Sequence, residues 1–226
     1  MKLSDNTVSV LKNYSTINQN LMINAGSTLT TMSAMKNIVA RATVAETFEK
    51  DVAIYDLNEF LASLSLFESP DLDFQDDFVM MGNEGSRKSL KYWYSDPSVV
   101  TTVTREITMP ECEVSFKFSD KELSDITKAA AVIGVPDMVL ENGSLRVTDK
   151  KNDTANHFAM EVDYNKMDHE TPMSVDHKFW FKVENLKLMP GTYEVAVSKN
   201  KISNFKNTNV DIEYFIALEP ESYYGK

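Results

Sequence analysis

The chain has 226 residues, with 23 Lys plus Arg against 34 Asp plus Glu, one Cys and 7 Gly. This length makes one large domain or two small ones, and 42% hydrophobic with 25% charged residues excludes a disordered tail, a collagen-like rod and a disulfide scaffold. The net charge of −11 repels nucleic acid on average, so binding to it requires positive charge gathered on one face.

From Ser4 to Gln19, apolar Val10, Leu11, Tyr14 and Ile17 recur at helical spacing opposite Asp5, Ser9, Lys12 and Thr16, which predicts an amphipathic helix capped by Ser4. Short β-branched and alternating segments follow at 20–25, 28–34, 38–44 and 51–55, the pattern of a strand meander. Asp56 caps a second helix, 57–67, with Glu59 as capping-box partner and Leu57, Phe60, Leu61 and Leu64 on one face; Pro70 stops it. Strand-like pieces at 72–81 and 88–94 precede a connector that opens at Ser95-Asp96-Pro97-Ser98 and runs through Pro110.

The second half repeats this order. A strand at 113–118 leads into a helix with the capping box Ser119-Asp120-Lys121-Glu122 and a buried stripe of Leu123, Ile126, Ala130 and Ile133, ended by Gly134 and Pro136. Strands at 138–141 and 144–148 flank Asn142-Gly143, the strongest short hairpin signal in the chain. Strands at 158–164 and 177–182 come next, the latter feeding a short helix at 183–189 that Pro190-Gly191 ends. Strands at 193–199, 202–206 and 210–218 close the chain. The order helix, strands, helix, strands thus occurs twice, without residue identity between the copies. It predicts an α+β protein with domains at 1–95 and 111–226 joined by a connector at 96–110.

No G-x-G-x-x-G or G-x-x-x-x-G-K-[ST] motif offers a cradle for nucleotide phosphates, and no Ser sits in a G-x-S-x-G elbow. The polar N-terminal residues and the absence of a long apolar run lead us to expect neither an export signal nor a membrane span. Cys112 stands alone, with no disulfide or cysteine metal site, which fits a reducing cytoplasm. The grouping Asp168-His169-Glu170 with Asp176-His177 is the most metal-like, yet a polar loop accounts for it more simply. Asp71, Asp73, Asp76 and Asp77 form an acidic run. With His169 or His177 they furnish an alternative, a metal-dependent nuclease or phosphoesterase, against an exposed strand in which Leu72, Phe74 and Phe78 alternate with the acids. No catalytic residue, metal or cofactor is assigned on this basis.

Lys121 and Lys128 share the polar face of the third helix, Lys12 occupies the matching face of the first, and Lys187 the outer side of the fourth. These lysines make either a basic stripe in an acidic protein or ordinary wet helix faces. The C-terminal run Tyr214-Phe215-Ile216-Ala217-Leu218 reads as a buried last strand whose exit, 217–220, borders a possible peptide groove.

Several strings resemble the DNA polymerase sliding clamps of T-even-type bacteriophages: 1–4 with 11–18, Asp51-Val52-Ala53-Ile54-Tyr55-Asp56-Leu57-Asn58-Glu59-Phe60-Leu61, Met189-Pro190-Gly191-Thr192-Tyr193, and 216–219. The resemblance spans almost the whole chain and is poorest at 68–88 and 165–176. It implies two similar clamp domains, each with two helices on antiparallel sheets, and a homotrimeric ring that encircles duplex DNA without catalysis or a cofactor. It implies that Lys12, Lys121, Lys128 and Lys187 face DNA, with Lys2 and Lys182 as companions; the second helix, with no Lys or Arg, is a departure. Partner capture is implied at Ala217, Leu218 and Pro220, with Val99, Val100 and Ile107 of the connector, for the C-terminal peptide of a replicative DNA polymerase. A clamp-loader ATPase, late-transcription factors and the cytoplasm of an infected bacterium complete the expectation.

Overall fold

The Ser4 cap and the apolar spacing after it set the first element. In the computed structural model, which describes residues 1–165 and 175–225, α1 spans Asp5–Ile17, and the Ser4 hydroxyl accepts from the Thr7 backbone N–H at 3.2 Å. Val10, Leu11, Tyr14 and Ile17 are buried as the periodicity requires, and the Tyr14 hydroxyl donates to Leu29 O at 2.9 Å inside the core. The chain divides between Glu106 and Ile107, inside the stretch read as a connector, into units Met1–Glu106 and Ile107–Lys226.

In the first unit β1 (Leu21–Ile23) pairs antiparallel with β4 (Val52–Ile54), and β2 (Gly26–Met32) with β3 (Ile38–Phe48). Helix α1 packs on β2 and β3, and α2 (Leu57–Leu64) packs on α1. Asp56 starts α2 by accepting from the N–H groups of Asn58 (2.9 Å) and Glu59 (3.0 Å). The helix stops at Leu64, short of the expected Phe67, because the Ser65 hydroxyl turns back to Ala62 O and the next N–H groups bond three residues back. The piece expected as one strand at 72–81 is two, β5 (Asp71–Phe74) and β6 (Phe78–Gly82). Gln75-Asp76-Asp77 turns the chain, closed by Gln75 N–H on Phe78 O at 2.9 Å. With β7 (Ser89–Trp93) they form a three-stranded antiparallel sheet.

In the second unit β8 (Val114–Phe118) leads into α3 (Asp120–Ile133), whose capping box is complete and whose Gly134 takes the left-handed conformation at φ 68°. Strands β9 (Asp137–Glu141) and β10 (Ser144–Thr148) meet through Asn142 (φ 47°) and Gly143 (φ 86°), both left-handed as this hairpin turn demands. They join β11 (Phe158–Glu161), β12 (His177–Lys182) and β16 (Tyr223–Tyr224) in the order β11-β10-β9-β12-β16, and α3 packs on β10 and β11. Strands β13 (Tyr193–Ser198), β14 (Ile202–Asn207) and β15 (Ile212–Ala217) continue from β8 in the order β8-β13-β14-β15.

The fourth helix expected at 183–189 is a single 3-10 turn, Val183–Asn185. Tertiary contacts claim the backbone beyond it: Met189 N–H donates to the Tyr214 hydroxyl (3.1 Å), and Met189 O accepts from the Tyr193 hydroxyl (2.6 Å). Pro190 also disfavours helical backbone at Met189. A side chain at Gly191 (φ +146°) would meet the Asn207 amide at 2.4 Å, so this corner requires glycine.

Glu46 of β3 ties the sheet to the start of α1, accepting from the Ser4 N–H and the Thr7 hydroxyl. Burial pushes its carboxyl up, but the bonds from Thr7 and Ser4 more than offset this and hold it below its ordinary 4.5. Its contribution to stability is therefore present above pH 4.5 and lost as the pH falls through the lower folded value. Thermal melts of Glu46→Gln should show a lower Tm than the parent at pH 7 and a gap that closes below pH 4.5; a constant gap would refute the linkage.

Candidate functional site

The polar faces of α1 and α3 are where cations can stand clear of the acidic surface. Lys12 and Lys128 are exposed and make no ion pair among the described residues. Lys121 is exposed too, but its ammonium lies 2.9 Å from Asp125 one turn along α3, whose hydrogen bond and charge hold the lysine above its ordinary pKa. Lys2 stands 3.9 Å from Asp71. Lys187, expected on a helix, lies beyond the 3-10 turn and is half-buried. Helix α2 presents Asn58, Glu59 and Ala62 to solvent and adds no cation.

Lys182 is different in kind. Its ammonium sits 2.6 Å from Asp137, a carboxylate only 1% exposed, which also accepts from Lys150 N–H at 3.0 Å. Lys150 extends the cluster to Glu219 (2.7 Å) and Glu221 (3.1 Å). Burial pulls its ammonium down, but both carboxylates outweigh that and raise it. These pairs pin the chain as it leaves β15, as do Leu218 N–H on Lys201 O and Glu219 N–H on Trp180 O, each 2.9 Å.

On that exit Ala217 and Pro220 are exposed, while Leu218 is buried. Of the connector residues, Val99 is exposed at the end of a 3-10 turn capped by Asp96, Val100 is buried, and Ile107 is half-buried. The exposed side chains of these two stretches are therefore Ala217 and Pro220 in the second unit and Val99 in the first, while Leu218 and Val100 are buried.

The acidic run is occupied locally. Asp76 bonds Lys50 at 2.7 Å, and that hydrogen bond and charge lower its pKa; Asp73 accepts from Gln75 at 2.8 Å. His177 is buried with both ring nitrogens engaged. Nδ1 can only donate to the carbonyl of Val175 (2.7 Å), so Nε2 accepts from the Tyr164 hydroxyl (2.7 Å), which in turn accepts from Gly143 N–H (2.9 Å). Burial pushes Tyr164 up to about 12 and keeps it a donor. No group of three or more His, Cys, Asp or Glu among the described residues is placed to hold a metal ion; Asp168, His169 and Glu170 lie outside them. Burial, Glu113 and Glu111 push the Cys112 thiol up, away from a reactive thiolate.

Sequence reasoning passed over Arg87, Lys88 and Lys91, three cations within five residues on and before β7. Lys91 is exposed, with its ammonium 3.9 Å from the centre of the Phe78 ring and 4.8 Å from that of Trp93. The signal was the run of cations in a chain otherwise rich in acid.

The sequence profile of the family described as DNA polymerase processivity factor matches residues 3–92. A sliding clamp of Vibrio phage KVP40 is 32% identical across 97% of this chain and 99% of its own length. The sliding clamp of Enterobacteria phage T4 is 26% identical across 98% of each chain. Among solved structures, A. fulgidus PCNA with the C-terminal region of FEN-1 bound superposes with a TM-score of 0.70 over 98% of this chain and 100% of that one, at 14% identity, a likeness of fold. None of these supports the nuclease alternative.

Lys182→Ala should leave the buried Asp137 carboxyl without its ammonium partner, keeping the Lys150 N–H bond, and cost roughly 3 kcal/mol of stability in chemical denaturation. Lys128→Ala should cost less than about 0.5 kcal/mol. Equal losses would mean that Lys182 is not the structural partner its geometry makes it.

Proposed function

The chain belongs to the sliding-clamp family, and from that premise we propose that it works as a homotrimeric ring around duplex DNA, with the polar faces of α1 and α3 toward the phosphates. It is a DNA polymerase processivity clamp with the α+β clamp fold, a non-catalytic accessory protein. The observation that carries this is the end-to-end match, 32% identity over 97% of the chain, to another sliding clamp.

The charge distribution suits such a role. A net charge of −11 keeps DNA off the outside, and a few exposed cations on the helices give weak, sequence-independent contacts that break easily as the ring slides. In our proposal Lys12 and Lys128 carry most of this attraction. Lys121 is tempered by Asp125, Lys2 and Lys187 contribute less, and Lys182 serves the fold. The C-terminal peptide of the replicative polymerase docks on the exit of β15, where Ala217 and Pro220 are exposed. A closed ring also requires a clamp-loader ATPase to open it on circular DNA. We place the protein in the cytoplasm of an infected bacterium, with late-transcription factors as further partners.

The reading is tested by primer extension on circular DNA with a clamp loader and polymerase: the protein should lengthen products in one binding event, and no lengthening refutes it. Lys12→Glu with Lys128→Glu should lower the salt dependence of ring retention on nicked circles by about one phosphate contact per lysine. An unchanged slope removes these lysines from the DNA path. Ala217→Arg should weaken binding of the polymerase C-terminal peptide at least tenfold by fluorescence anisotropy, roughly 1.4 kcal/mol, with the assembly mass unchanged. Unaltered affinity would move the docking site elsewhere.

A further inference from the structure

The turn between β9 and β10 carries the one Asn-Gly pair in the chain, Asn142-Gly143. That pair is chemically reactive. The Gly143 nitrogen, with no side chain beside it to obstruct an approach, attacks the side-chain carbonyl carbon (Cγ) of Asn142 when it loses its proton. The N–Cγ bond forms, the Cγ–Nδ2 bond breaks and ammonia leaves with that proton, so a five-membered imide closes. Water then opens the ring at either carbonyl and leaves aspartate or isoaspartate at 142. Water is the only co-reactant, and Asn142 is exposed to it.

In the folded chain the reacting groups are already engaged. The Gly143 N–H donates to the Tyr164 hydroxyl at 2.9 Å, and Gly143 O accepts from Val162 N–H at 2.9 Å. On the Asn142 side chain, Oδ1 accepts from His177 N–H and Nδ2 donates to Asp176, both at 3.1 Å. Cyclisation requires Gly143 to give up its proton and Asn142 to turn its amide onto the nitrogen, so these bonds must open first. The partners are themselves fixed. The Tyr164 ring is half-buried, 6.4 Å from that of Phe116 and 5.5 Å from that of His177, which is fully buried. With its pKa pushed up by burial to about 12, Tyr164 stays neutral and does not take the Gly143 proton as a phenolate would. Asp176 is held on the surface by the Asn142 amide and the Tyr223 hydroxyl, bonds that lower its pKa and keep it an acceptor.

We propose that Asn142 is a self-modification site held shut by Tyr164, Asp176 and His177, so that deamidation there requires local opening of the β9–β10 turn. The mark is one-way. A carboxylate at 142 has no proton to donate to Asp176 and sets like charges together where a hydrogen bond had been. Isoaspartate adds a methylene to the backbone of a turn that must bring Glu141 opposite Ser144. Either product loosens the tie between this turn and residues 176–177. The inference goes beyond the clamp reading and does not depend on it.

Incubating the whole protein at mildly alkaline pH tests this, with mass-spectrometric peptide mapping and enzymatic isoaspartyl methylation as readouts and a free peptide of residues 138–147 as the unguarded reference. Modification at 142 should run at least about tenfold slower in the protein than in the peptide. Tyr164→Phe, which keeps the ring and removes the acceptor, and Asp176→Ala, at the exposed surface, should each speed it about fivefold, the effect of one hydrogen bond. Asp176→Ala carries the test if Tyr164→Phe does not fold. Glu46→Gln, which weakens the first unit, should leave the rate at 142 unchanged. A protein that reacts as fast as the peptide, or guard variants that react at the parent rate, overturns the proposal. So does a Glu46→Gln chain that speeds as much as the guard variants, because opening would then be global.

Discussion

Each unit depends on one packing event, the seating of an amphipathic helix against antiparallel strands with its first turn locked. Ser4 and Glu46 lock α1; Ser119 and Glu122 lock α3. Once the caps fix where each helix begins, its 3.6-residue period fixes which side chains enter the core. Val10, Leu11 and Tyr14 are fully buried in one unit and Ile126 in the other, and the remaining face is left to solvent. That leftover face is the one proposed here to meet DNA.

The function asks for an unusual balance. In the proposed ring enclosure would hold the DNA, so attraction to phosphates is best kept weak, while the joints between subunits would have to be strong. The side chains divide along these lines. Among the lysines of α1 and α3, Lys12 and Lys128 make no ion pair among the described residues, whereas Lys121 is shared with Asp125. The polar investment goes instead into structure, where Lys182 and Lys150 meet Asp137, Glu219 and Glu221 and fix the exit of the last long strand.

The helices, their caps and most strands were legible in the sequence because their signals are local: the Ser4, Asp56 and Ser119 caps, the Gly134 stop and the Asn142-Gly143 turn act within a few residues. The errors came where distant groups intervene. The apolar run before Pro190 has a helical pattern, yet Tyr193 and Tyr214 take the Met189 backbone groups a helix would use. Strand β16, with two residues, is too short to have a period and exists by pairing with His177 and Lys178.

The sites divide in the same way. That a lysine lies on a helix face follows from sequence spacing alone, and so did the contrast between Lys12 on α1 and a cation-free α2. What each lysine does depends on its neighbour. Lys182 and Lys128 are the same residue to a sequence reader, but only one lies against a buried carboxylate 45 residues away. By itself the sequence determined the class of fold, the first three helices and the faces they bury, since these follow from short-range periodicity and capping. Tertiary structure alone decided which charges are spent inside each unit, that the fourth helix shrinks to a turn, and which groups hold the Asn142-Gly143 turn, because each is set by groups brought together from far along the chain.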